Sequence, residues 1–322
     1  MAAALSQPEP DSGNGGPPPE PAHASGFGDI APRFLTGCAA PAKLNLFLHV
    51  TGRRDDGYHL LQTVFQLVDH GDTLDFHLRD DERIARVTEL DGVAEDDDLT
   101  VRAARLLQTT LAERTGQVIP GVDIAITKRL PMGGGLGGGS SDAATTLMAL
   151  NHLWGDALGS GELMTLGLQL GADVPFFIFG RNAFAEGIGE ELVAIDTPEL
   201  WYVVIEPGVM VPTAAIFGST DLTRDTKPVK IADFSRAPIG FGKNDLQNVA
   251  MALFAPVAEA VAWLGHFGEA RMTGSGACVF CAFAHEQLAD AALAAVAGRS
   301  KTWKAWKARA LTQHPMRYLQ HS

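Results

Sequence analysis

The stretch PMGGGLGGGSSD at 131–142 places six glycines in the seven positions 133–139 and follows them with two hydroxyls and a carboxylate. A backbone without Cβ atoms reaches conformations closed to other residues, and no side chain holds a ligand away from its N–H groups. Ser140, Ser141 and Asp142 are good N-cap residues, and Ala143, Leu147, Leu150 and Trp154 recur at helical spacing beyond them. A backbone nest that ends at a helix N-terminus is a phosphate site. Two further groups have the chemistry to work on a phosphate held there. Lys43 lies on an alternating apolar run, and Asp173 stands ahead of Val174 and Pro175. An ammonium can neutralise a moving phosphoryl group, and a carboxylate can take the proton of an attacking hydroxyl. An Asp before a turn and a proline is also a common cap, and lysines protect edge strands, so residue type alone leaves both roles open.

Three kinds of phosphate loop compete for the glycine run. A P-loop closes on Gly-Lys followed by Ser or Thr, and here Gly139, Ser140 and Ser141 stand in that place without a lysine. Gly133, Gly135 and Gly138 satisfy G-x-G-x-x-G, but a run this rich in glycine meets many patterns by chance. A dinucleotide fold would also carry the motif near the start of its βαβ unit, not deep in the folded chain. The third kind is the loop of the galactokinase, homoserine kinase, mevalonate kinase and phosphomevalonate kinase superfamily, which follows a proline and directly precedes a long helix; Pro131 to Ala143 fit it.

The elements that must position these groups follow from periodicity. Leu44, Leu46, Leu48 and Val50 alternate with Lys43, Asn45, Phe47 and His49, a strand with Lys43 and Asn45 on one face. Val122, Ile124 and Ile126 predict a second strand, and 99–111 a helix. A helix is expected over about 162–170, ending at Gly171, and a short strand over 174–179. Further on, 201–205 reads as a strand and 251–264 as one apolar helix with Glu259 outside. The run 272–283 reads as strand–turn–strand, and an Ala-rich helix starts at Glu286. The locally basic run 301–311 reads as the solvated face of a final strand or helix. Residues 1–35, rich in Pro, Gly, Ala and Ser, have too little apolar surface to offset ordering entropy and read as a disordered tail.

Composition narrows the function. A net charge of −13 repels nucleic acid over most of the surface. No apolar run reaches the roughly 18–20 residues of a membrane span, and an N-terminus whose first basic residue is Arg33 lacks the charge pattern of a targeting peptide. Cys38, Cys278 and Cys281 make an odd, small set, which points to a reducing cytoplasm and buried thiols rather than disulfides. Cys278 and Cys281 match C-x-x-C, but they lie in a strand-like run whose positions i and i+3 face opposite ways, and no second pair completes a zinc site.

Four segments in order, PAKLNLFL at 41–48 with GRRDDGYH at 52–59, KRLPMGGGLGGGSSDAA at 128–144, GADVPF at 171–176 with AEGIG at 185–189, and TGSGA at 273–277, resemble the 4-diphosphocytidyl-2-C-methyl-D-erythritol kinase family of the GHMP kinases. The resemblance implies an α+β, two-domain GHMP kinase fold. A ribosomal protein S5 domain 2-like, ATP-binding domain would occupy 36–195, and a ferredoxin-like C-terminal domain 196–322. It implies phosphorylation of the substrate's 2-hydroxyl by ATP, carried with Mg2+, on a small molecule bearing a cytidine diphosphate. By the same resemblance Asp173 is the base, with Lys43 beside it. Pro131, Met132, Gly133, Gly134, Gly135, Leu136, Gly137, Gly138, Gly139, Ser140 and Ser141 would hold ATP. Asn45, Tyr58, His59, Thr213, Phe217, Gly274, Ser275 and Gly276 would hold the substrate, Tyr58 and Phe217 clamping the cytosine while His59 bonds its edge. Asp98 stands where Asn is expected, which puts an adenine-side role of that position in question. Ser140, Ser141 and Asp142 are the nearest candidates for the metal, with Glu186 as a structural carboxylate, and no ligand set or oligomeric state is specified. Two alternatives share the motifs: another small-alcohol kinase of the superfamily, which would lack Gly57, Tyr58 and His59, and a nucleotide-binding module without catalysis.

Overall fold

The structure is a computed structural model that describes residues 32–300 and 302–320, and the chain from Pro32 packs as one compact unit. Residues 1–31 of the expected tail lie outside the described part. The end of that tail is already strand: Phe34 and Leu35 pair with His77 and Phe76, and the Phe34 ring stacks on His77 at 5.8 Å.

Among the described residues ten strands form two sheets: β1 (Phe34–Arg53), β2 (His59–Leu78), β3 (Ile84–Arg86), β4 (Val122–Thr127), β5 (Ala183–Glu186), β6 (Glu191–Ala194), β7 (Trp201–Glu206), β8 (Ala270–Met272), β9 (Val279–Phe283) and β10 (Lys304–Arg309). The helices are α1 (Leu99–Thr115), α2 (Gly138–Leu153), α3 (Ser160–Leu170), α4 (Val174–Phe179), α5 (Thr213–Gly218), α6 (Ile231–Arg236), α7 (Gln247–Leu253), α8 (Ala255–Leu264) and α9 (Glu286–Ala297). In the first sheet β1 flanks one side of β2, and β4 and β5 share the other. The second sheet runs β10-β7-β9-β8, with α5 to α8 between β7 and β8 and α9 between β9 and β10. That order and those crossovers are the ferredoxin-like split βαβ arrangement.

The period-two pattern of β7 explains how the second sheet docks. Val203 and Ile205 face a core with α7, α8 and α9, while Tyr202 and Val204 face Ala42 and Leu44 of β1. Cys278 and Cys281 divide the same way, one into each core, and both are free and buried. Burial pushes the Cys281 thiol up to about 11 and Cys278 further still.

Two segments adopt other elements than their patterns predict. Residues 174–179 are the helix α4, not a strand: a six-residue apolar run buried on every side carries no period, whereas Pro175 in the first turn and Gly180 in the left-handed conformation are helix start and stop signals. The expected single helix over 251–264 is two, α7 and α8. Pro256 removes an N–H and crowds the preceding turn, so Phe254 is extended between them; Glu259 is exposed as expected.

Beyond β10 the chain returns to α4. The His314 N–H donates to Gly180 O at 2.9 Å, and Met316 and Leu319 enter the core over the first sheet. His314 Nδ1 accepts from Met316 N at 3.0 Å, and burial lowers its pKa to about 3. The folded state therefore binds fewer protons here than the unfolded state. The stabilisation is complete above the unfolded value near 6.5 and is lost progressively as pH falls from there toward the folded one. Urea denaturation at pH 7 and pH 5 is expected to show a stability loss that shrinks by about 2 kcal/mol in His314→Asn, whose side chain can still accept from Met316; an equal loss in both proteins contradicts this.

Candidate active site between the two sheets

The glycine loop is clamped at both ends by charge. Asp72, buried on β2, accepts from the N–H groups of Arg129 and Leu130 at 2.6 and 2.8 Å and from Lys128 Nζ. Lys128 also donates to Asp142 Oδ2 on α2 at 2.8 Å, so one ammonium joins the chain entering the loop to the helix leaving it. Burial and the Asp72 charge hold the Asp142 carboxyl above its ordinary value, against the opposing pull of Lys128. The serines and Asp142 are not caps as expected. The helix α2 starts at Gly138, because Gly137 at φ 72° turns the chain and its carbonyl accepts from Ser141 N at 2.8 Å. The N–H groups of Gly138, Gly139 and Ser140 have no intrahelical acceptor and form the open end of the helix. Ser141 is fully buried, and its Oγ has no hydrogen-bond partner among the described residues.

The loop rests on a second turn. Gly134 O accepts from Cys278 N at 3.1 Å, and a Cβ on Gly135, at φ 75°, would lie 2.1 Å from Thr273 O. Asn45 joins this turn to β1: its Oδ1 accepts from Gly274 N at 3.0 Å and from Lys43 Nζ at 2.6 Å, and its Nδ2 donates to Thr63 Oγ1 at 2.9 Å. Asn244 holds the same turn by donating to Met272 O and Gly274 O at 2.7 and 2.8 Å. Lys43 is buried under the glycine loop, its own N–H donating to Leu136 O at 2.9 Å. Its ammonium sits 3.5 Å from Asp173 Oδ2 and 5.1 Å from the centre of the Phe65 ring. Asp173 precedes α4 but its side chain makes no cap hydrogen bond, and it remains 33% exposed.

Three adjoining cavities surround these groups. The central one, about 340 Å³, is lined by Lys43, Asn45, Asp173, Ser140, Ser275 and the loop glycines at 133, 135 and 137, with Thr213, Gly274 and Gly276 on its rim. A second, about 370 Å³, lies across the glycine loop against Leu90, Val93, Leu99, Asp98 and Lys128; Pro131, Met132, Gly134, Leu136, Gly138 and Gly139 belong to this side. A third, about 520 Å³, shares Leu61, Ala172, Ile188, Thr213 and Phe217 with the first and adds Tyr58 and His59. Tyr58 is 60% exposed, and the His59 and Phe217 rings are 4.9 Å apart. Thr213 and Ser275 hydroxyls meet at 2.8 Å.

Most of the residues singled out from sequence thus face one continuous cleft, while Ser141 is shut behind the loop and Glu186 lies on β5, accepting from Gln62 Nε2 at 2.7 Å. Asp98 is a buried cap: it accepts from Thr100 N at 2.8 Å and pairs with Arg86 at 2.7 Å. Sequence reasoning gave no role to Asp72, Thr63, Asn244 or Arg224. A charge inside the apolar alternation of β2 was the available signal for Asp72; Asn244 and Arg224 lie in polar loops with none.

Gly135→Ala is expected to force the two turns apart and to cost at least about 2 kcal/mol, because it adds left-handed strain to a backbone clash. Gly139→Ala meets only Leu99 Cδ1 at 3.3 Å and is expected to melt near wild type. Thermal denaturation of the two variants checks this.

The family model for the GHMP kinases N terminal domain matches residues 98–181, and that for the GHMP kinases C terminal matches 224–301. The chain is 69% identical over 287 residues to the 4-diphosphocytidyl-2-C-methyl-D-erythritol kinase of Herminiimonas arsenicoxydans, covering 89% of this chain and 99% of the relative. A crystal structure of 4-(cytidine 5'-diphospho)-2C-methyl-D-erythritol kinase superposes with a TM-score of 0.72 at 33% identity, covering 84% of this chain and 98% of that one. Homoserine kinase from Cytophaga hutchinsonii, 18% identical with a TM-score of 0.63 over 88% of this chain and 96% of its own, shares the fold. The chain belongs to the 4-diphosphocytidyl-2-C-methyl-D-erythritol kinase family, ATP-dependent phosphotransferases of the GHMP kinase fold.

Proposed function

We propose that the protein transfers the γ-phosphoryl group of ATP to the 2-hydroxyl of 4-diphosphocytidyl-2-C-methyl-D-erythritol. The observation that carries this reading is the row of three joined cavities with the Lys43–Asp173 pair at its centre. The cavity beside Leu90 and Leu99 suits the adenosine of ATP, and the loop N–H groups and open end of α2 suit its phosphates. The cavity of Tyr58, His59 and Phe217 suits a flat pyrimidine, and the length of the cleft between them suits the diphosphate and the polyol.

In this reading the substrate hydroxyl oxygen attacks the γ-phosphorus as the bond to the ADP oxygen breaks, and the hydroxyl proton passes to Asp173. The carboxylate is exposed enough to release that proton to water. Lys43 has three protons: one goes to Asn45, one faces Asp173, and the third is available to the phosphoryl oxygens. Little covalent help is needed, because phosphoryl transfer is governed by positioning and charge.

Magnesium enters as the usual companion of ATP, which requires only one or two protein oxygens. Of the serines and Asp142, Ser140 is the one that lines the central cavity, and it is the ligand we assign. No helix of the described residues is long and apolar enough to cross a membrane. With three free buried thiols and a surface of net charge −13, the protein is read as cytoplasmic and as having no nucleic-acid partner.

Asp173→Asn keeps size and packing but removes the proton acceptor. Turnover is expected to fall by about 10²–10⁴-fold while ATP still raises the melting temperature as in wild type. Turnover near the wild-type rate removes Asp173 from this role.

A further inference from the structure

We propose that Arg224 is a positioning residue for the base cavity. Its side chain fixes His59 in the tautomer that carries the proton on Nδ1, so the cavity presents a hydrogen-bond donor and selects a base edge with an acceptor facing it. The inference rests on the reading of that cavity as a pyrimidine site.

Arg224 Nε donates to His59 Nε2 at 3.1 Å. A guanidinium has only donors and stays protonated in proteins, so His59 Nε2 must offer its lone pair. A neutral ring then carries its proton on Nδ1. Burial together with the Arg224 and Arg53 charges lowers the His59 pKa below its ordinary value, which keeps the ring neutral at pH 7. Nδ1 has no hydrogen-bond partner among the described residues, and His59 lines the cavity with Tyr58 and Phe217.

The arginine itself has little freedom. Its two terminal nitrogens donate to Leu222 O at 3.0 Å, Phe217 O at 2.9 Å and Ser219 O at 2.6 Å. Through these bonds it also holds the end of α5, which carries Phe217, against the His59 ring. One side chain thereby sets both the spacing of the aromatic wall and the sense of the hydrogen bond it offers.

The chemistry of that bond discriminates. Cytosine carries a lone pair on N3, whereas uracil carries a hydrogen there. A fixed donor facing N3 is satisfied by cytosine and opposed by uracil, and a polar mismatch in a closed site costs at least about tenfold in affinity. A histidine free to exchange tautomers would serve both bases.

The first test needs no variant at the arginine. Nitrogen-15 NMR of the full chain with labelled histidine, the His59 signals being assigned by their loss in His59→Gln, is expected to show protonation at Nδ1 at pH 7. Protonation at Nε2 overturns the proposal whatever the cavity binds. The second test uses CDP and UDP as competitive inhibitors of the kinase reaction against the alcohol substrate. Wild type is expected to prefer CDP by about tenfold or more; Arg224→Met should bring the ratio toward one, and Arg224→Lys, which keeps a donor, should restore part of it. An undiminished preference in Arg224→Met overturns the selection by Arg224. Equal inhibition of wild type by CDP and UDP, with Nδ1 protonated, instead sinks the pyrimidine reading of the cavity and the selection built on it.

Discussion

One amide oxygen, Asn45 Oδ1, accepts from the ammonium of Lys43 and from the N–H of Gly274. This small node joins the strand that carries the lysine to the turn that the second sheet brings against the glycine loop. Lys43 can point only where Asn45, the Phe65 ring and Asp173 leave room. The two turns approach so closely that no Cβ fits between Gly135 and Thr273 O. Position in phosphoryl transfer is most of the catalysis, and here it is set by backbone-to-backbone distances that only glycine permits.

Around that node the protein buries charge in closed groups. Asp72 and Asp142 share Lys128, and Asp98 takes Arg86. Buried pairs add little net stability, because desolvation offsets their attraction, but losing one partner is costly. Their effect is geometric: the Lys128 group fixes the loop entrance on β2 and the loop exit on α2, while the glycines between them pack against Thr273, Cys278 and Phe177.

Much of this was legible in the sequence for identifiable reasons. The alternation around Lys43 and Asn45 survives as β1, so the two side chains do share a face and meet. The glycine run announced a nest leading into a helix. The α4 run was misread because an apolar segment buried all round has no period, and the break between α7 and α8 was missed although Pro256 signalled it. The capping serines were misplaced because glycine itself makes the turn at Gly137. Asn45, expected at the substrate, lines the central cavity, and its oxygen also accepts from Gly274 N, a pairing across 229 residues that no local pattern encodes. Arg224 meets His59 across 165 residues and was invisible for the same reason.

In the proposed reaction the Lys43–Asp173 pair assists phosphoryl transfer from ATP to an alcohol delivered by a cytidine diphosphate lodged beside Tyr58, His59 and Phe217. ADP release by the purified protein with Mg-ATP tests it most directly when 4-diphosphocytidyl-2-C-methyl-D-erythritol is set beside homoserine, mevalonate and galactose. The structure predicts turnover with the cytidine substrate alone. Equal or greater turnover of a small alcohol without the nucleotide would contradict the account, and so would silence on all four substrates in a protein that still binds ATP.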